Sequence, residues 1–155
     1  PDPIMARRNP LRAGLITCLL VVASSGCTTQ TVSSGGSGLV AGTSPLQSVE
    51  RFLAAVNARD LSDMMAVFGT SEGPIDGPRA ENEIWMDALA TILEHERYEI
   101  VSERQVPGRE SPTTRVGVTL TIDDEVYPDV SFITVRTGEG RWMVQEVDVE
   151  RITGE

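Results

Sequence analysis

The 155-residue chain contains no lysine, one histidine and two cysteines, and only 5% of its residues are aromatic. Two cysteines cannot supply a disulfide framework or the paired C-x-x-C motifs of a zinc site. A single histidine argues against a histidine-based metal site, and no glycine-rich phosphate-binding loop opens a helix. The sequence therefore predicts no metal and no cofactor.

Positive charge is scarce beyond the N-terminus. All thirteen basic residues are arginines, and three of them precede residue 13. After Cys27 only ten arginines face 22 acidic residues, which gives this part a net charge of −12. Such a surface repels phosphate backbones, so nucleic acid is not an expected partner.

The N-terminal segment has the arrangement of a signal peptide. The basic stretch MARRNPLR, residues 5–12, precedes the uncharged apolar run AGLITCLLVVA, residues 13–23. A helix of eleven residues is only about 16 Å long, roughly half of a hydrocarbon core, so a stable membrane span is disfavoured. We expect translation to start at Met5 and residues 1–26 to be the signal peptide.

Two cleavage patterns are compatible with the end of the apolar run. The small residues 23–25 suit an ordinary signal peptidase that cuts before Gly26. The sequence SSGC, residues 24–27, also resembles the bacterial lipobox, although Ser24 stands where leucine is usual. In that family the cysteine thiol is acylated and the chain is cut directly before the cysteine.

The lipobox resemblance implies that Cys27 is the lipid attachment site. Each buried acyl methylene contributes about 0.8 kcal/mol, so several chains hold a protein at a membrane without a spanning helix. Thr28 stands where the family places an aspartate in lipoproteins retained at the inner membrane. The resemblance therefore implies an exported protein anchored to the bacterial envelope, with the periplasmic side of the outer membrane favoured.

The next segment has the composition of a linker. Residues 28–44 are rich in serine, threonine and glycine and carry no charge. A flexible chain of this length spans roughly 20–25 Å. We expect the lipidated cysteine and its linker to occupy residues 27–44 and one domain to occupy residues 45–155, which is long enough for one hydrophobic core.

Three segments of the domain show the apolar spacing of helices. The first begins with Ser44 as N-cap and Pro45 in the first turn, and the second begins after Asp60 and ends at Gly69. The third covers about residues 79–96, and its apolar face is expected to contain Ile84, Trp85, Ala88, Leu89 and Ile92. The glycine- and proline-rich residues 69–78 predict a loop.

After residue 97 the apolar period changes to two. Candidate strands are residues 98–106, 114–122, 126–137 and 141–149, separated by short turn sequences. This pattern predicts an antiparallel meander, and Pro128 predicts a late start or a bulge in its strand. The expected fold is α+β, with three N-terminal helices packed on one face of a curved sheet of about four strands.

Two stretches resemble the nuclear-transport-factor-two-like superfamily, which includes polyketide cyclase-like and ketosteroid isomerase-like proteins. They are PLQSVERFLAAVNARDLSDMMAVF, a long helix followed by a short one, and TGEGRWMVQEVDV, a glycine turn before a tryptophan-bearing last strand. The resemblance implies a cone-like fold that encloses an apolar pocket, in which the enzymes place an acid or base. Many members have a strand pair where this chain has residues 69–78, which implies a smaller or more open cavity.

The last strand contains the candidate catalytic carboxylates. Strict alternation places Trp142, Glu146 and Asp148 on the same face. If that face points inward, Glu146 and Asp148 become cavity carboxylates and candidate general bases, because acid–base catalysis needs a desolvated group. If Met143 and Val147 point inward instead, both acids are solvent-exposed.

His95 lies between Glu94 and Glu96 at the predicted end of the third helix. A cation is favoured at a helix C-terminus, so we expect His95 to be a surface residue that stabilises the helix. The alternative is a general base.

Aromatic and methionine side chains on the apolar stripes are expected to pack in the core. If a cavity exists, they are also its candidate lining residues. These residues are Phe52, Met64, Phe68, Trp85 and Trp142.

Two functions follow from these patterns. The first is a non-catalytic envelope lipoprotein whose tethered domain binds a small apolar ligand or a protein partner, with a homodimer through the outer face of the sheet as an option. The second is a small isomerase- or cyclase-like enzyme that uses Glu146 or Asp148 as general base.

Overall fold

A computed structural model describes residues 41–154. The predicted signal peptide, Cys27 and the linker up to residue 40 lie outside the described residues. Residues 41–154 form an α+β fold in which helices pack on a four-stranded antiparallel sheet. Within this range, no helix combines the length and the apolar character needed to cross a membrane.

The helices are α1 (Pro45–Ala58), α2 (Leu61–Val67), α3 (Arg79–Leu93) and the short α4 (Glu150–Thr153). Both predicted N-caps are confirmed. The Ser44 side chain accepts a hydrogen bond from the Gln47 backbone N–H, and the Asp60 side chain accepts one from the Asp63 backbone N–H. The predicted ends of the second and third helices are wrong, since α2 ends two residues before Gly69 and α3 ends at Leu93.

The four strands of the main sheet are β3 (Arg97–Gln105), β4 (Thr113–Ile122), β5 (Glu125–Arg136) and β6 (Trp142–Val147). They pair in the order β3-β4-β5-β6, which confirms the antiparallel meander. The segment predicted as a loop between α2 and α3 contains a two-stranded hairpin, β1 (Gly69–Thr70) and β2 (Gly73–Pro74). Its strands are too short to show a period of two in the sequence.

Register shifts interrupt the main sheet at three places. Val101 in β3 and Gln145 in β6 each stand unpaired, and Pro128 and Asp129 in β5 together oppose a single residue of β4. The bulge predicted at Pro128 is therefore confirmed. A bulge bends its strand and increases the local twist. The bulge at Gln145 also changes which side chains of β6 face the helices.

One face of the sheet and the helices share the hydrophobic core. α1 contacts β4, β5 and β6, and the Phe52 ring at its centre lies 5.7 Å from the Phe68 ring and 6.4 Å from the Phe132 ring. These three side chains are buried, as are Leu53 and Leu120 beside them. The side chains of α1, α2, β4 and β5 thus fill the space between the helices and the sheet.

The outer edge of β6 is covered by two short bridges. The Trp142 backbone N–H donates to the Gly42 carbonyl oxygen at 2.8 Å, and Phe68 pairs with Val144 as a parallel bridge. The Ser48 hydroxyl donates to the Trp142 carbonyl oxygen at 2.6 Å. Gly42, within the predicted linker, is therefore packed against β6, which limits edge-to-edge pairing there.

Candidate functional site

The buried face predicted for α3 is correct at Leu89 but wrong for most of its other residues. Ile84 is 73% exposed and Trp85 is 47% exposed. The buried residues follow the i, i+3, i+4, i+7 spacing of a packed stripe and are Met86, Leu89, Ala90 and Leu93. Because α3 has apolar residues around most of its circumference, the spacing alone could not decide which part faces the core.

The exposed apolar side of α3 forms one wall of a surface groove of about 240 Å³. We call it the α3–β6 groove. Trp85 lies in it, with its ring centroid 4.9 Å from that of Phe68 in an edge-to-face contact. The lining residues are Phe68, Trp85, Ala88, Leu89, Ile92, Gln145, Glu146, Val147 and Val149.

The second wall depends on the bulge in β6. Without Gln145 as an unpaired residue, strict alternation would place Glu146 on the same face as Val144. The bulge instead pairs Val147 with Phe132 of the core, and Glu146 with Ile133. Val147 and Val149 therefore pack against the core, and Glu146 is exposed at the rim of the groove.

The sequence offered two orientations for β6, with either the face of Trp142 and Glu146 or the face of Met143 and Val147 pointing inward. Neither is correct along the whole strand, because both assume strict alternation. Val144 and Val147 belong to the same core although they are three residues apart. Glu146 is exposed, and the Asp148 side chain is 36% exposed with its Oδ2 atom 3.8 Å from Nε of Arg151. The two candidate carboxylates thus lie at the surface and not in an enclosed cavity.

The five candidate lining residues occupy three different places. Phe68 and Trp85 meet in the α3–β6 groove. Phe52 and Met64 are fully buried in the core, where they pack among helix and sheet side chains. Trp142 lies beside Pro45 at the start of α1, in a different surface depression.

His95 is not a surface residue, so this prediction is wrong. It is 8% exposed, and its Nδ1 atom lies 2.8 Å from the Leu93 carbonyl oxygen. Asn57 of α1 fixes the turn, because its side-chain Nδ2 donates to the His95 carbonyl oxygen and its Oδ1 accepts from the His95 backbone N–H. Since α3 ends at Leu93, the chain turns inward before His95, whose ring contacts Tyr98 edge-on.

The outer face of the sheet is polar near its centre. An Arg115 nitrogen donates to Oδ2 of Asp129 at 3.0 Å. Gly117 leaves room for this carboxylate, because a Cβ atom there would overlap Asp129 and the Ser102 hydroxyl. A homodimer through this face would bury charged side chains in its interface. The homodimer stays a prediction.

The Asp129–Arg115 pair predicts a pH-dependent contribution to stability. The hydrogen bond from Arg115 holds the pKa of Asp129 below its ordinary value, and the positive charges of Arg115, Arg151 and Arg104 act in the same direction. Because the folded-state pKa is depressed, the stabilisation is present above the unfolded pKa near 3.9 and is lost as pH falls through the folded value.

Asp129→Asn is therefore expected to lower the free energy of unfolding at pH 6 by about 0.2–1 kcal/mol, the range of half-exposed ion pairs. The difference from the unsubstituted protein should shrink as the pH falls below 3.9. Urea unfolding at several pH values measures it. A difference that grows on acidification would contradict the pairing.

Metal ligands are not grouped in the described residues: across 41–154 no three histidine, cysteine, aspartate or glutamate side chains are placed to hold an ion. Comparison of the chain with protein-family models, with curated proteins and with solved structures gives no match. Larger surface depressions exist among the described residues, but the α3–β6 groove is the one in which an exposed tryptophan meets a mainly apolar lining.

Proposed function

We propose that the chain is a non-catalytic lipoprotein of the bacterial envelope, anchored through Cys27, whose domain binds a partner in the α3–β6 groove. The sequence around residues 24–27 supports the anchor, and the linker gives the domain a reach of roughly 20–25 Å from the membrane. The groove supports the binding role. Resemblance to the lipobox favours the periplasmic side of the outer membrane.

We also propose the cone-like arrangement of three N-terminal helices on a curved sheet. The hairpin β1–β2 supports it, because it lies between α2 and α3, where many members of the resembled superfamily have a strand pair. The three bulges support it as well, since each one bends its strand.

The exposure of Trp85 is the observation that carries the binding proposal. Single exposed apolar residues are common, but contiguous ones beside a groove mark interaction sites. Trp85 adjoins exposed Ile84 and Ala88 on α3, and its ring reaches Phe68 at the base of the groove. Tryptophan is also enriched among residues that dominate binding energies.

The size of the groove favours a protein partner over a small apolar ligand. Pockets for small molecules have volumes of about 300–1,000 Å³ and enclose most of the ligand. The α3–β6 groove has about 240 Å³ and lies at the surface between a helix and a strand end. It can accept a few side chains of a partner, whereas a small molecule would keep much of its surface in water.

Site-specific photo-crosslinking in bacterial cells tests this function. We place a photoreactive phenylalanine derivative at Ala88, in the groove, and at Glu103, on β3 at the opposite edge of the sheet. We expect a discrete adduct from position 88 and none from position 103. The substitution Trp85→Ala should reduce the adduct at position 88 at least tenfold, since an anchor of this type contributes about 2 kcal/mol or more.

Equal adducts from both positions, or an adduct at position 88 that is unchanged by Trp85→Ala, would contradict binding in the groove.

A further inference from the structure

We propose that the partner of the α3–β6 groove is a cationic amphipathic helix, which places apolar side chains in the groove and lysine or arginine side chains around it. This inference rests on the proposed function, and it names the chemistry of the partner. It is carried by the distribution of paired and unpaired acids around α3.

One glutamate lines the groove, and two others lie next to lining residues along the chain or along the helix stripe. Glu146 lies at its rim, and Glu150 directly follows Val149 of the lining. Glu81 is one turn before Trp85, on the stripe of α3 that continues through Ala88 and Ile92. All three are exposed, and in the part of the chain that the structure describes none of them takes part in an ion pair.

The acids on the opposite side of α3 already have partners. Asp87 and Glu94 both bind the Arg59 guanidinium, at 3.3 Å and 2.8 Å. Glu83 binds Nε of Arg79 at 2.6 Å. Two arginines of the same chain thus pair with the three acids on this side of α3, whereas the glutamates near the groove have no ion-pair partner among residues 41–154.

The dimensions of the groove suit a helix. Trp85 and Ile92 are seven residues apart, so the apolar wall of α3 is about 10 Å long, or two helical turns. A partner helix presents apolar side chains at i, i+3 or i+4 and i+7 over the same distance. The half-exposed Trp85 ring can also accept a cation on its face.

Charge argues against two other occupants. A second copy of the chain would bring the same three glutamates and the same negative net charge to the contact, and like charges across an interface disfavour association. An anionic lipid surface would be repelled in the same way. A partner segment with apolar side chains can pack in the groove, and its lysine or arginine side chains can lie beside the glutamates.

Two synthetic peptides test the inference with the full-length protein in vesicles of uncharged phospholipid. Both form a helix with leucine on one face. The other face contains lysine in the first peptide and glutamate in the second. We expect the lysine peptide to bind at least tenfold more tightly, with an affinity that falls as salt is added.

Two matched variants distinguish binding of the peptide in the groove from non-specific electrostatic attraction to an acidic protein. Glu146→Gln and Glu103→Gln change the net charge equally, but only the first lies at the groove. Glu146→Gln should weaken binding of the lysine peptide about two- to fivefold, the effect of one exposed pair, and Glu103→Gln should leave it unchanged.

Each other outcome overturns a specific statement. Equal binding of the two peptides, with both weakened by Trp85→Ala, would refute the cationic partner and leave the groove as the binding site. Peptide binding that Trp85→Ala does not change would refute the proposed function as well. Dimerisation of the protein that depends on Trp85, or binding to anionic vesicles without peptide, would identify a different occupant.

Discussion

Phe52→Ala is expected to lower the free energy of unfolding by about 3–5 kcal/mol, the usual loss when a fully buried phenylalanine is truncated. Phe52 has no exposed surface, and its ring packs between those of Phe68 and Phe132. Small domains have only about 5–15 kcal/mol of stability, so this one substitution would remove a large part of it. Urea unfolding followed by circular dichroism measures the difference.

Trp85→Ala is the matched control, because it truncates another large aromatic residue that also contacts Phe68. Since Trp85 is 47% exposed and Phe52 is fully buried, we expect the loss of Trp85 to destabilise the fold by less than Phe52→Ala does. The two variants thus separate a core aromatic residue from one in the groove. Equal losses, or a larger loss for Trp85→Ala, would contradict this assignment.

Cys27→Ser is expected to move the protein from the membrane fraction to the soluble fraction of the envelope. Serine has no thiol for acylation, and the acyl chains that we propose contribute about 0.8 kcal/mol for each buried methylene. Their removal therefore changes membrane binding by many orders of magnitude. Fractionation followed by immunoblotting measures the distribution.

Cys18→Ser provides the control for this experiment. Cys18 lies in the predicted signal peptide, so its thiol is absent from the processed protein. We expect the Cys18→Ser variant to stay in the membrane fraction. If the Cys27→Ser protein also stays there, lipidation of Cys27 is not the means of attachment.

Much of the fold follows from local rules that can be read in the sequence. Ser44 and Asp60 are residue types that are favoured as N-caps, so the starts of α1 and α2 could be predicted from the sequence. The four strands have a clear period of two, and the turns between them have the residues that turns need. The hairpin β1–β2 escapes detection because two-residue strands are too short for any period.

The candidate site could not be predicted because it depends on packing. Apolar residues lie around most of the circumference of α3. Which side becomes buried is therefore decided by packing against other elements such as α1 and α2. The bulge at Gln145 has no signal in WMVQEV, yet it moves Glu146 to the rim and Val147 to the core. His95 is buried because the Asn57 side chain, 38 positions away in the chain, binds its backbone.

The two tryptophans of the chain allow the most direct test of binding in the α3–β6 groove, because Trp85 lies in it and Trp142 lies elsewhere. The Cys27→Ser protein, labelled with ¹⁵N, is titrated with the lysine peptide while the two indole N–H resonances are followed. Trp85→Phe assigns them. If the partner binds in the α3–β6 groove, the Trp85 resonance shifts in a saturable way and the Trp142 resonance stays in place; a shift of Trp142 with Trp85 unmoved would contradict binding there.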